Sequence, residues 1–151
     1  MSLRSVCFTG HRELPEVTST AYRTMVHDTQ SAILSAIEEG ATDFYAGGAQ
    51  GYDLLCAELV LLLKARFPAI RLHLVLPYAG FARGERYRPV LEGADEIISL
   101  NPAYRRGCLM MRNRRLVEEG DLCIAYLHQE TGGTVYTVSA ARKKGIPVVL
   151  L

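Results

Sequence analysis

Six short apolar runs recur along the chain, each separated from the next by a stretch long enough or periodic enough to be a helix. That alternation leaves little choice of fold. Val6-Cys7-Phe8-Thr9 is the first run, ended by Gly10. Tyr22, Met25, Val26, Thr29, Ile33, Ala36 and Ile37 then return at the spacing of one helical face, and Gly40 supplies a stop. Phe44-Tyr45-Ala46 makes a second strand closed by Gly47-Gly48, and Leu54 to Ala65 a second helix followed by Pro68. Ile70 to Leu76 runs into Pro77 as a third strand; a short helix from Glu85 to Leu91 leads to Glu96-Ile97-Ile98-Ser99. A helix over Cys108 to Glu119 precedes Leu122-Cys123-Ile124-Ala125, and a last one from Gly133 to Lys144 precedes Pro147-Val148-Val149-Leu150. Strands this apolar cannot turn a face to water, so they belong in a parallel sheet covered on both sides. The expectation is an α/β, doubly wound, mostly parallel sheet of about six strands with helices on both faces, one domain over residues 1–151.

The second helix is apolar nearly all the way round: Leu54-Leu55, then Leu59-Val60-Leu61-Leu62-Leu63. Such a helix needs burial on more than one side. A second copy of the chain is the simplest cover in a domain of this size, so a homodimer is expected.

Bulk properties exclude several classes. A chain of 151 residues, 49% hydrophobic and 22% charged, can bury a core as an ordinary globular protein does. A net charge of +1 means that a nucleic-acid reading must rest on a local patch. No apolar run approaches the roughly 20 residues that span a bilayer, and no secretory leader is evident, so a cytoplasmic protein without a membrane partner is expected. Cys7, Cys56, Cys108 and Cys123 form no C-x-x-C pair, and the histidines lack ligand spacing. Neither a metal nor a cofactor is expected.

In a parallel sheet the loops that follow the strands emerge at one edge, where open α/β folds bind ligands. The unusual residues gather there. Gly10-His11-Arg12 follow the first strand, and Gly47-Gly48-Ala49-Gln50-Gly51-Tyr52-Asp53 the second. Pro77-Tyr78 follow the third, Arg112-Asn113-Arg114 come after the fourth, and Thr131-Gly132-Gly133-Thr134 after the fifth. Two of these loops are glycine-rich and open a helix, whose first N–H groups lack partners and carry the positive end of the dipole. Glycine lets that backbone approach a phosphate closely. Neither loop is a Walker A or a complete G-x-G-x-x-G sequence. Asp53 either stabilises the dipole of its own helix or reaches a ribose hydroxyl or a neighbouring loop. Arg112 and Arg114, flanking Asn113, and Arg12, beside His11, offer the guanidinium fork that suits phosphate oxygens. His11 either donates to a ligand or caps its strand.

Taken together, the Thr9-Gly10-His11-Arg12, Gly47-to-Asp53, Arg112-to-Arg114 and Gly132-to-Thr134 motifs resemble the SLOG superfamily, which includes DprA/Smf and the Lonely-guy phosphoribohydrolases. The chain looks most like the YpsA-type bacterial branch, and the likeness covers nearly all of it. The resemblance implies a Rossmann-like sheet that binds a nucleotide or nucleotide derivative, with phosphate near the last glycine loop. It also exposes a departure. Lonely-guy enzymes end that loop in Gly-Thr-x-x-Glu; here Thr137 occupies the acid's position, and Thr131 that of a preceding proline. Threonine can neither stabilise an oxocarbenium-like centre as a carboxylate does nor act as a base near neutrality.

Three readings follow. The first is a module that binds or senses a nucleotide derivative; the second is an N-glycosidase acting on nucleoside monophosphates, with its catalytic residues unknown. The third is a DprA-like binder of single-stranded DNA that uses the arginine-rich third of the chain.

Overall fold

The computed structural model describes residues 3–151 of the expected 1–151; residues 1 and 2 lie outside the description. The order is β1 (Ser5–Gly10), α1 (Thr20–Glu38), β2 (Asp43–Ala46), α2 (Tyr52–Lys64), β3 (Arg71–Leu76) and α3 (Arg88–Gly93). β4 (Glu96–Ser99), α4 (Cys108–Glu119), β5 (Leu122–Tyr126), α5 (Gly133–Lys144) and β6 (Val148–Leu150) complete it. The six strands form one sheet in the order β4-β3-β2-β1-β5-β6, and each adjacent pair is parallel.

Alternation along β1 shows why the sheet is covered twice. Val6 and Phe8 point into a core shared with α1 and α2. Cys7, between them, points into a second core with Leu116 and Val117 of α4 and Val138 and Ala141 of α5. All three strand residues are fully buried. A strand with no wet face has no use for polar side chains, which is why β1 reads as a continuous apolar run.

Local signals set the helix boundaries. Ser19 caps α1 by accepting a hydrogen bond from the Tyr22 N–H at 3.1 Å. The short third helix, expected from Glu85, begins only at Arg88, with Pro89 in its first turn. Proline suits a first turn because it lacks an N–H and has a fixed φ; four residues further in it would break the helix. The apolar girth of α2 is covered largely by its own chain. α1 and α3 pack against it, and Leu54, Leu55, Leu59, Val60 and Leu63 are buried without any second copy. Leu62, at 66% exposure, is the apolar residue of that helix left to solvent. No helix among the described residues is long and apolar enough to cross a membrane.

Winding proceeds from β1 outward to β4, then restarts on the other side of β1 with β5. The loops after β1 and β5 therefore part in opposite directions, and a crevice opens between them.

Candidate functional site

β1 and β5 end side by side, Gly10 opposite Tyr126. Beyond them lies a cleft of about 500 Å³. The structure brings many of the expected residues onto its wall: Gly10 at the end of β1, His11 and Arg12 after it, Asp53 from α2, Arg112 and Asn113 from α4. Thr131, Gly132, Gly133 and Thr134 close it from the α5 side. Gly47, Gly48, Gln50, Gly51, Pro77, Tyr78 and Arg114 are not on that wall. Gln50 and Gly51 face a neighbouring hollow. The Pro77 carbonyl accepts from Asn101 Nδ2 at 2.9 Å, and Tyr78 packs edge-on against Phe81 and Tyr104. Arg114 is exposed.

The start of α5 has an unusual hydrogen-bonding polarity. Gly132 precedes it at φ 113°, no side chain caps it, and its first turn holds no acid. Its leading N–H groups are thus available to a ligand. Thr134 Oγ1 lies 3.4 Å from His11 Nδ1, while His11 Nε2 accepts the His128 N–H at 2.8 Å. An imidazole nitrogen that accepts carries no proton, so the hydrogen of neutral His11 sits on Nδ1 and faces Thr134. Burial, helped by the charge of His128, moves the His11 pKa below its ordinary value and favours this neutral form. With its oxygen accepting from His11, the Thr134 hydroxyl is left to donate. Asn113 is oriented by the same logic. Arg112 Nε can only donate, so the atom 2.8 Å from it must be the Asn113 oxygen. The Asn113 amide NH2 then faces Gly133, where an added methyl would sit 3.5 Å from Nδ2. This wall offers donors and suits an anion.

The other glycine loop is closed. Arg112 Nη1 donates to the Gly47 carbonyl and lies 4.0 Å from Asp53 Oδ2. Both side chains are buried, with 6% and 8% exposed. The Ala49 N–H adds a 3.4 Å bond to Asp53, and the Phe81 ring lies 5.7 Å from the guanidinium. Burial pushes Asp53 up and Arg112 down, and the opposite charge of each partner offsets part of that shift. A methyl on Gly47 would meet Arg112 Nη1 at 2.5 Å, and one on Gly48 would meet Leu76 Cδ2 at 2.4 Å. These glycines admit neighbours of their own chain. Arg112 is a strut across the loop. Arg12 is exposed on the cleft rim instead and, among the described residues, has no ion-pair partner.

Sequence reasoning did not single out Glu13, Leu109, Met110 and Gln129 on the same wall. Glu13 directly follows Arg12, and Leu109 and Met110 lie about one helical turn before Arg112 and Asn113, so proximity to the motifs was the available signal. Thr137 is fully buried, and its hydroxyl donates to the Gly133 carbonyl at 2.9 Å. The wall's carboxylates are therefore Asp53, tied to Arg112, and Glu13 at the rim; Glu130 is exposed and off the wall. Among the described residues no cluster of three or more His, Cys, Asp or Glu is disposed to hold a metal ion, and all four cysteines are free and buried.

Comparison with known proteins identifies the family and the fold. Residues 6–146 match the model of YpsA, the YspA SLOG family. A UPF0398 protein of Halalkalibacterium halodurans is 31% identical over 124 residues, covering 76% of this chain and 66% of that protein. Another, from Bacillus thuringiensis, is 26% identical over 118 residues, covering 72% and 64%. The chain thus spans slightly less than two thirds of the length of these relatives. Among solved structures, DNA processing protein A of Helicobacter pylori, known for its single-stranded DNA binding mode, superposes with a TM-score of 0.71 at 18% identity. That match covers 99% of this chain and 65% of the other. DprA of Streptococcus pneumoniae gives the same TM-score at 15% identity, covering 98% and 50%. At such identities the likeness is one of fold.

Proposed function

The chain belongs to the YspA SLOG family, and from that footing we propose that its cleft binds a phosphorylated nucleotide or nucleotide derivative. The phosphate lies against Gly132, Gly133 and Thr134. The observation that carries this reading is the cluster of donors at the start of α5: uncapped N–H groups, a Thr134 hydroxyl whose oxygen accepts from His11 so that its proton is free to donate, and the Asn113 amide. A dianionic phosphate accepts from all of these, and the helix dipole adds to the attraction. Arg12 supplies the free cation at the rim. The site binds without cutting, because the position that would carry a Lonely-guy glutamate holds Thr137, turned into its own helix.

Titration calorimetry with nucleoside monophosphates tests the proposal. Wild-type protein binds at least one of them, and Thr134→Val weakens binding by about tenfold, the worth of one hydrogen bond to a charged group. Absence of affinity for any phosphorylated nucleotide would sink the reading. Release of free base during incubation would favour the N-glycosidase alternative.

A second reading is single-stranded DNA binding. Tyr104 is 66% exposed beside the exposed Arg105 and Arg106, and no acidic residue occurs from Asn101 to Val117. Aromatic and arginine side chains in this arrangement suit stacked bases and backbone phosphates. Affinity for an oligodeoxythymidine that falls steeply with salt, and falls again in Tyr104→Ala, would support it. Self-association belongs to the proposal as well. The exposed Leu62 of α2 is its remaining argument, so Leu62→Glu shifts sedimentation to the monomer if a second copy docks there.

A further inference from the structure

The cleft has a neighbour. A second hollow of about 340 Å³ lies beyond Arg12, and Arg12 lines both. Its walls are apolar, from Leu14 and Pro15 of the loop after β1, Tyr22 of α1, and Leu54 and Leu55 of α2. Val17, at 70% exposure, stands at its mouth, and the amide of Gln50 is exposed on its rim. Arg86, the other cation there, is paired with Glu58 at 3.2 Å, so Arg12 is the free one.

The divider between the hollows is fixed in the backbone. The Tyr52 N–H donates to the His11 carbonyl at 3.0 Å. A methyl on Gly51 would come within 2.3 Å of the Arg12 carbonyl oxygen. Glycine at this position is what allows the two loops to touch, and it seats Arg12 between the cavities.

A cleft of about 500 Å³ is enough for one whole nucleotide, since ligand pockets of roughly 300 to 1,000 Å³ enclose molecules of that size. The second hollow is then surplus to a mononucleotide. Apolar walls with an amide at the edge match the apolar faces and polar edge of a nucleobase. An unpaired guanidinium between two such spaces matches the phosphate that joins two nucleosides. We propose that the ligand is bipartite, two nucleosides joined by a diphosphate that runs from the start of α5 to Arg12, with one nucleoside in each hollow. This rests on the nucleotide-binding reading of the cleft and sharpens its ligand class. The exposed acids Glu13, Glu16 and Glu130 on the flanking loops favour a compact ligand over a long polyanion, which they would repel along its path.

Calorimetry decides the matter with monophosphates of the four common ribonucleosides, the matching dinucleotides joined by a diphosphate, and an oligodeoxythymidine. The expected result is a dinucleotide bound at least about tenfold more tightly than its monophosphate. Val17→Asp and Gln50→Ala, both at exposed positions, bring the dinucleotide down to the affinity of the monophosphate. Monophosphate binding with no gain from the second nucleoside, or a gain that survives both substitutions, overturns the bipartite ligand and leaves the cleft reading standing. An oligodeoxythymidine that binds more tightly than every dinucleotide overturns the compact ligand. No binding by any nucleotide removes the cleft reading and this inference together.

Discussion

The two glycine loops look alike as sequence and behave oppositely in space. Gly47-Gly48 opens the loop from β2 to α2, Gly132-Gly133 closes the loop from β5 into α5, and both lie at the carboxyl edge. At Gly47 and Gly48 the space is taken by the chain itself: the Arg112 guanidinium and Asp53 carboxylate crowd the first, and Leu76 the second. At Gly132 an added methyl would have no neighbour within 4 Å, and at Gly133 only an ordinary contact with Asn113. The first helix start already holds its own anion, since Asp53 lies in the first turn of α2; the α5 start holds none. A glycine loop is therefore a permission for close approach. Whether the guest is another part of the protein or a ligand depends on what the rest of the fold delivers to that spot.

The largest expected effect comes from breaking the closed loop. Arg112→Leu leaves Asp53 buried without its partner and lowers stability by about 3–5 kcal/mol in chemical denaturation. A loss below about 1 kcal/mol would mean that the strut is dispensable. Next comes a matched pair of glycine substitutions. Gly47→Ala drives a methyl into the guanidinium and costs about 2 kcal/mol of stability. Gly133→Ala, at a helical position with room for the methyl, changes stability by no more than about 0.5 kcal/mol yet weakens nucleotide binding about tenfold. The contrast between the loops collapses if the two variants lose stability equally.

Smaller still is the effect of the hydroxyl at the open loop. Thr134→Ser keeps the donor and stays within about threefold of wild-type affinity, whereas Thr134→Val loses about tenfold. The last prediction concerns acid. His11 has a folded pKa below its ordinary 6.5, because burial and His128 disfavour the charged ring. The acceptor it offers the His128 N–H is therefore fully present above 6.5 and is lost as pH falls through the depressed folded value. Nucleotide affinity measured from about pH 8 down to about pH 5 declines at the acid end together with the His11 ring signals in NMR. An affinity that stays flat while His11 titrates would separate the histidine from the site.

Much of this was legible before any coordinates. The apolar runs dictated a parallel sheet because the central strands have no wet face, although β4, at the sheet's edge, is largely exposed, and the sheet's direction sent five loops to one edge. Ranking within that edge was not legible. Arg112 and Arg12 are equally basic as letters; tertiary packing buries one against Asp53 and leaves the other free on the rim. Asp53 could serve its helix dipole, a ribose hydroxyl or a neighbouring loop as a letter; in the fold it lies on the cleft wall beside Arg112 and accepts from the Ala49 N–H of the loop. As a letter His11 offers a ligand donor or a strand cap; in the fold its ring lies on the cleft wall, between His128 and Thr134. Such pairings join residues more than 100 positions apart, beyond the reach of any local pattern.

The sequence by itself determined the layered architecture, the edge on which the polar loops meet and the loss of a carboxylate at Thr137, because periodicity and residue identity are local properties. The tertiary structure alone decided which glycine loop is open, which arginine is free and which way each hydroxyl and amide points. Those outcomes depend on competition for the same few cubic ångströms, and competition exists only once the chain has folded.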